Sequence, residues 1–265
     1  MKTTVLTFAN NKGGSGKSTT CSNVAYALAT LSKTKNKKVL MIDGDMQMNL
    51  SLSFFGEDEV LGFNESEDNL YHALERGKDI EKCIRHTEFE GLDLIPSSML
   101  MSNIEEVLYK NGGDRRVLEK LLKGLIKDSV YDYILIDAPP TLGLWVRNIL
   151  QASNGVVIPV EASPWGLFGL ANMIGYVEDS AKENKGLKVA GIVITKVDVR
   201  KNYFHQTEEL LKSTGDIPVF KTHIRVDSSI EWAQDNSKPV GAYRKSSRSA
   251  GEFKDLAKEI DKIDF

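Results

Sequence analysis

Cysteine is nearly missing from this 265-residue chain, which holds only Cys21 and Cys83. Two thiols build neither a disulfide framework nor a four-thiolate metal site within one chain. Proline is sparse, at seven, so where it stands matters more than how often. No uncharged apolar run approaches the ~18 residues needed to cross a bilayer. An excess of one charge is lacking too. Lys and Arg number 34 against 37 Asp and Glu, a formal charge of -3, which excludes a wholly basic nucleic-acid coat but leaves room for a local basic face. Met1-Lys2 followed by Thr3–Ala9 faintly resembles a secretion signal. Asn10, Asn11 and Lys12 cut that stretch short, however, and no small-residue cleavage site follows. The expectation is a soluble protein of the reducing cytoplasm.

What is present is ordinary globular composition, 41% hydrophobic and 27% charged, which argues against disorder or a fibrous repeat. Short aliphatic runs alternate with stretches of helical period, the pattern of βαβ units around a buried parallel sheet. Strands are expected at Thr3–Ala9, Lys38–Asp43, Leu92–Ile95, Tyr133–Asp137, Gly155–Val160 and Val189–Thr195, with a shorter one near Pro218–Lys221. Most are continuously apolar, as strands covered on both faces should be. Helices are expected at Lys17–Leu31, Ser98–Tyr109, Arg115–Lys127, Leu142–Gln151, Leu167–Glu183 and Tyr203–Ser213. No Pro/Gly/Ser-rich linker or internal repeat divides the chain. The fold expected is a single doubly wound α/β domain over residues 1–265, a mostly parallel twisted sheet with helices on both faces. Lys33, Lys35, Lys37 and Lys38 read as a solvated loop without function.

The most informative segment is Asn11-Lys12-Gly13-Gly14-Ser15-Gly16-Lys17-Ser18-Thr19. It follows an expected strand and opens an expected helix, the context a phosphate cradle requires. Its glycines let consecutive N–H groups converge on phosphate oxygens, and the positive end of the helix dipole faces the same anion. Lys17 is placed to reach the β/γ-phosphates, and the Ser18 hydroxyl to ligate Mg²⁺. The generic pattern fails at one point, because position 11 is Asn rather than Gly. A second lysine, Lys12, stands near the loop's start instead. With Lys17 on its own nucleotide, Lys12 has no obvious partner in the same subunit. A cation at the loop mouth can reach a facing subunit's nucleotide, as an arginine finger in trans does. Dimerisation would then depend on the γ-phosphate.

Three carboxylates end two of the expected strands: Asp43 and Asp45 after Val39–Ile42, and Asp137 after Tyr133–Ile136. In an open parallel sheet, ligands sit beyond the carboxyl ends of the strands, so all three can gather beside the loop. Asp137, with Ser18 and Asp43, is a candidate holder of Mg²⁺. Asp45 is placed to position or deprotonate the attacking water.

Together these segments resemble the ParA/MinD family of deviant Walker-A ATPases, most closely its ParA branch, which partitions plasmids and chromosomes. The likeness is carried by Lys12 to Thr20, Asp43-Gly44-Asp45-Met46-Gln47-Met48-Asn49, Asp137-Ala138-Pro139-Pro140, and Pro164 ahead of Gly169-Leu170. Lys238-Pro239 and Ser247-Arg248 also fit. The resemblance implies ATP and Mg²⁺, an ATP-sandwich homodimer with Lys12 crossing the interface, and Asp45 as the catalytic switch residue. It also implies slow turnover stimulated by a ParB-like centromere-binding partner, and a cytoplasmic, nucleoid-associated protein. Met46 stands where family members often have Pro, and Ser15 and Ser18 replace the commoner Val and Thr. With nothing preceding the first strand, the operator-binding extension of longer ParA proteins is expected to be absent.

That reading calls for non-specific DNA binding. Residues 236–251 hold Lys238, Arg244, Lys245 and Arg248 and no acid. Arg200, Lys201, Lys221 and Arg225 can extend the basic face, and contacts of this kind weaken steeply with salt. Arginines resembling Arg200 and Arg225 are implicated in the family in DNA contact or in the surroundings of the base. A MinD-like protein would end in a basic membrane helix. Here Phe253, Leu256, Ala257, Ile260 and Ile263 form a stripe, but residues 252–265 carry five acids against three lysines. That helix is expected to pack on the sheet, with no membrane partner. A GTPase is a rival, since Thr195-Lys196-Val197-Asp198 resembles a guanine-reading element. Pro140, where GTPases place glycine, and the idle Lys12 weigh against it. Iron–sulfur relatives need paired cysteines, and tyrosine-kinase relatives a C-terminal tyrosine cluster that does not follow Tyr243. A protein that positions another cargo with the same switch is the remaining alternative.

Overall fold

The computed structural model describes residues 2–31, 37–163, 167, 169–213 and 217–265. Pro164, Lys33 and Lys35 lie outside them. The chain runs β1 (Thr4–Phe8), α1 (Lys17–Ala29), β2 (Val39–Asp43), α2 (Asn49–Leu52), α3 (Glu57–Glu65) and α4 (Leu70–Arg76). It continues through β3 (Arg85–His86), β4 (Leu92–Ile95), α5 (Ile104–Lys110), α6 (Val117–Lys127), β5 (Tyr133–Asp137) and α7 (Leu144–Gln151). The last third holds β6 (Gly155–Glu161), α8 (Leu170–Ala181), β7 (Lys188–Thr195), α9 (Asn202–Ser213), α10 (Ser228–Asp235), α11 (Val240–Tyr243) and α12 (Arg248–Ile260).

Seven strands form one sheet in the order β3-β4-β2-β5-β1-β6-β7, parallel throughout except for β3. All five residues of β2 and of β5 are buried, as the uninterrupted apolar runs require. One face of the sheet is covered by α4 to α8, with Trp145, Leu118 and Leu122 in its core. The other is covered by α1 and α12, where Phe253, Leu256 and Ile260 meet Leu28 and Phe8. The apolar stripe of α12 is thus spent inside the fold, as expected. Among the described residues, no helix is long and apolar enough to cross a membrane.

The first six expected strands are present. The seventh is reduced to a parallel bridge of Val219 to Ile192, although the backbone of Phe220 also bonds Ile192. The single helix expected over Ser98–Tyr109 is instead a 3₁₀ turn, Met99–Asn103, followed by α5. The Ser98 hydroxyl accepts from Leu100 N at 3.1 Å, and Asn64 Oδ1 accepts from Met99 N at 2.8 Å; these bonds fix a tight start.

Strand order positions the site. The chain leaves β1 for β2 on one side and later returns to β6 on the other, so a crevice opens at the carboxyl ends around β1. Register brings Phe8, Asp43 and Asp137 level at that edge.

Candidate nucleotide-binding site

The loop from Asn10 to Gly16 joins β1 to α1 at this crevice. Gly14 (φ 72°) and Gly16 (φ 89°) are both left-handed, a conformation that side chains with a Cβ adopt at a cost. Gly16 is the N-cap of α1 and offers no side-chain acceptor, so the first N–H groups of the helix have no side-chain cap. They form a ready anion site. The Thr195 hydroxyl donates to Ser15 O at 2.8 Å and fastens the loop to the end of β7.

Lys17 is only 7% exposed, and its Nζ lies 3.4 Å from Lys12 O. Burial lowers the pKa of its amine, opposed by the charges of Asp137 and Asp45. Asp43 is fully buried and its carboxyl is raised to about 6, chiefly by burial. Ser51 at the start of α2 occupies one Asp43 oxygen through its N–H (2.8 Å) and its hydroxyl (2.7 Å), while the other accepts from Asp45 N at 3.3 Å. Asp137 differs. It is fully buried, and neither of its oxygens has a hydrogen-bond partner. Burial and then Asp43 push its carboxyl well up, although the nearby Ser18 hydroxyl and Lys17 amine favour the charged form.

An orphaned buried carboxylate beside a hydroxyl is a hard-oxygen donor set that fits Mg²⁺. Among the described residues, no group of three or more His, Cys, Asp or Glu could hold a metal alone. An ion here would therefore share its ligands with phosphate oxygens and water, the usual habit of Mg²⁺. Asp137 brings two unpartnered oxygens beside the Ser18 hydroxyl, whereas Asp43 is already engaged by Ser51 and by Asp45 N.

Asp45 lines the same cleft, of about 1100 Å³, with Lys17, Ser18 and Thr19. Its Oδ1 accepts from Gln47 N at 3.1 Å, its carbonyl accepts from Met48 N at 3.0 Å, and Met48 is left-handed at φ 54°. These bonds shape the turn that carries Met46. Two contacts not read from the sequence anchor it further. The Trp145 indole donates to Gly44 O at 2.9 Å, and Gly44 N donates to Asp137 O at 2.9 Å. A Cβ at position 44 would stand 2.7 Å from that carbonyl, so only glycine allows the approach.

Lys12 requires a correction. It was expected to lack a partner in its own subunit, yet its Nζ bonds Glu161 Oε2 at 2.8 Å and Ser163 Oγ at 3.2 Å. The reason is topological, because β6 lies beside β1 and ends in Glu161.

The eight basic residues expected to form one face separate. Arg200, Lys201, Arg225 and Arg248 line a second cleft of about 910 Å³, next to the first. Arg225 is ion-paired to Glu252, and Arg248 lies 3.5 Å from the same carboxylate. Lys238 pairs with Glu88 at 3.3 Å, and Lys221, Arg244 and Lys245 are exposed and line neither cleft. Asp198 faces the second cleft and is gripped by Arg200 through two bonds of 2.8 Å, which hold its carboxyl down at about 2.

Loop, helix terminus and carboxylates face one another across one crevice, and the class they define is the P-loop nucleotide-binding proteins. A family model described as an AAA domain matches residues 3–189. The sporulation initiation inhibitor protein Soj of Bacillus subtilis is 34% identical over 257 residues, 97% of each chain. The chromosome partitioning protein ParA of Myxococcus xanthus is 29% identical, covering 98% of this chain and 88% of that one. A putative plasmid partition protein of Borrelia burgdorferi, solved bound to AMPPNP, superposes with a TM-score of 0.79 at 29% identity over 99% of this chain and all of the other. The septum site-determining protein MinD of Pyrococcus horikoshii, solved with Mg-ADP, gives 0.75 at 25% identity, covering 98% and 96%. The chain belongs to this AAA-domain family of ParA/MinD-type ATPases, in the branch of the Soj and ParA proteins.

Proposed function

We propose that the protein is an ATP-dependent DNA-partition ATPase that works as a nucleotide-operated dimer. The observation that carries the reading is the loop's two lysines with opposite settings: Lys17 buried at its floor, Lys12 directed away toward the end of β6. One lysine suffices for the bound phosphates; Lys12, held by Glu161 and Ser163 in this protomer, would serve a facing protomer's nucleotide by leaving them. ATP, which the Borrelia relative's AMPPNP imitates, would lie along the loop with its phosphates on the N–H groups of Gly13 to Thr19 and on Lys17. Asp137 and Ser18 would hold Mg²⁺, which supplies charge neutralisation at the β/γ-phosphates when bound. Asp45 orients the attacking water.

Adenine is favoured over guanine because Asp198, the group a guanine reader needs, is committed to Arg200 and faces the neighbouring cleft. DNA would be held non-specifically in that second cleft by Arg200, Lys201, Arg225 and Arg248, with Lys221, Lys238, Arg244 and Lys245 as outlying cations. ATP closes the homodimer and creates the DNA-binding surface; hydrolysis, stimulated by a ParB-like centromere-binding protein, releases it. The apolar stripe of α12 is buried in the fold, which leaves that helix no apolar face for a MinD-like membrane contact; a cytoplasmic, nucleoid-associated protein is the localisation that goes with the DNA reading.

The deciding experiment is DNA co-sedimentation with ATP, ADP and GTP in parallel. Retention with ATP alone is expected. Equal retention with GTP would favour the GTPase, and no retention with any nucleotide would favour a switch that positions another cargo.

A further inference from the structure

The two clefts share a wall, because Arg225 and Val226 line both of them. Helix α12 grips the strip of chain that carries this wall. Glu259 accepts from Lys221 N at 2.8 Å and from Thr222 N at 2.9 Å, and Asp227 takes Ser249 N. Arg248 donates to Val226 O at 2.6 Å. Glu252, about two turns before Glu259, accepts from Arg225 N at 3.0 Å. Glu259 thus straps backbone and the Thr222 hydroxyl, but Glu252 does more. Its Oε1 also takes the Arg225 guanidinium at Nε, and Arg248 Nε stands 3.5 Å from the same oxygen. The Glu252 side chain is only 11% exposed and its arginines 39% and 46%, against 85% for Arg200, whose pair with Asp198 lies at the surface. Pairs at the surface contribute little, because water and salt screen them, whereas a sheltered carboxylate acts through less water. One buried charge therefore offsets two of the second cleft's arginines.

We infer that Glu252 is an autoinhibitory counter-ion of the second cleft: it keeps Arg225 and Arg248 paired at the start of α12, and so holds down the DNA affinity of the chain until ATP bears on the shared wall. This rests on the proposal above that DNA occupies that cleft. Non-specific binding to DNA grows with the number of cations free to meet phosphates. A phosphate that takes Arg225 must first displace the carboxylate that already neutralises it, so the paired arginines add less than free ones. Since Arg225 and Val226 also wall the nucleotide cleft, a triphosphate there acts on the very strip that Glu252 holds. That gives the first cleft a path to the second. A Glu252 that merely supported the fold, or merely aimed the arginines at DNA, would act in the opposite sense, since its loss would weaken binding.

The test is fluorescence anisotropy of a labelled random-sequence duplex with the full chain, without nucleotide, with ADP and with ATP, each over a series of salt concentrations. Removing one sheltered counter-charge should raise the affinity by about fivefold. Glu252→Gln is accordingly expected to bind the duplex about fivefold more tightly than the parent without nucleotide and with ADP, with a salt slope steeper by about 1. With ATP the gain should shrink. Glu252→Asp, too short to hold both arginines, should gain in the same direction by less, and it carries the test if Glu252→Gln does not fold. Glu259→Gln removes the same charge and a strap but frees no arginine, so it should stay within about twofold of the parent. The triple variant Arg225→Ala/Arg248→Ala/Glu252→Gln should lose the gain. A nucleotide-free Glu252→Gln affinity equal to or below the parent's overturns the inference. So does an equal gain with ATP, an equal gain in Glu259→Gln, or a triple variant that keeps the gain. If parent and Glu252→Gln both fail to bind the duplex with every nucleotide, the DNA reading falls, and this inference with it.

Discussion

Two lysines five positions apart experience opposite surroundings, and the difference predicts how each responds to change. Lys17 has surrendered most of its hydration and is balanced by Asp137 and Asp45. Its loss strips the phosphates of their buried cation. Charge-assisted bonds contribute ~1.5–3 kcal/mol, so Lys17→Ala should weaken ATP binding by about 10- to 100-fold in calorimetric titration. Normal affinity would refute the assignment of the loop. Asp45→Ala should still bind ATP and dimerise, but turn over about 10²- to 10⁴-fold more slowly in a phosphate-release assay. Wild-type turnover would remove Asp45 from the chemistry. The loop and its acids were legible in the amino-acid order because each is a short run of neighbours whose chemistry needs no distant partner. Glu161 and Trp145 were not. Each acts on a residue more than a hundred positions away, and a strand-end acid or an apolar-helix tryptophan has a bland meaning until the partner is known.

Between neighbouring elements, the end of the chain is tied in by Asp227. Its carboxylate caps α10 through Ser229 N at 2.9 Å and also accepts from Ser249 N at 3.2 Å in the first turn of α12. Burial raises the Asp227 carboxyl, but these bonds outweigh it and bring it from 3.8 to about 2. A folded value below the unfolded one stabilises the protein above pH 3.8, and the gain is lost as the pH falls through about 2. Asp227→Ala should therefore cost about 1 kcal/mol at pH 7 in urea denaturation, and less at pH 3. An equal difference at both values would show that the ionised form is not what caps the helix. The buried strands were readable because both faces require apolar residues, which leaves an uninterrupted run. The edge strand β3 spans only two residues, Arg85 and His86, too few to carry a period. The expected Ser98–Tyr109 helix broke because Asn64, from another element, claimed its first turn.

Across the whole molecule, surface charge is arranged by folding. Arg200 and Lys201 follow β7, Arg225 stands between α9 and α10, and Arg248 opens α12; the fold sets all four around one cleft. Several already have acidic neighbours, so DNA bound as proposed would compete with Asp198 and Glu252 for them. Arg200→Ala and Arg225→Ala should each lower retention on DNA at low salt and reduce the slope of log affinity against log salt by about 1. Unchanged retention for both would move the DNA surface elsewhere. Arg225 also borders the nucleotide cleft, so ATP affinity should be measured alongside.

The amino-acid order was enough to give the alternation of strands and helices, the phosphate loop and its three acids, because these rest on periodicity and on chemistry between near neighbours. It could not say that Lys12 has a carboxylate waiting in its own protomer, that Asp43 is committed to Ser51 while Asp137 is free, or that four of the eight cations converge. Those facts depend on which strands lie side by side and in what register. Hydrogen bonds and ion pairs act over a few ångströms of space, whatever the distance along the chain.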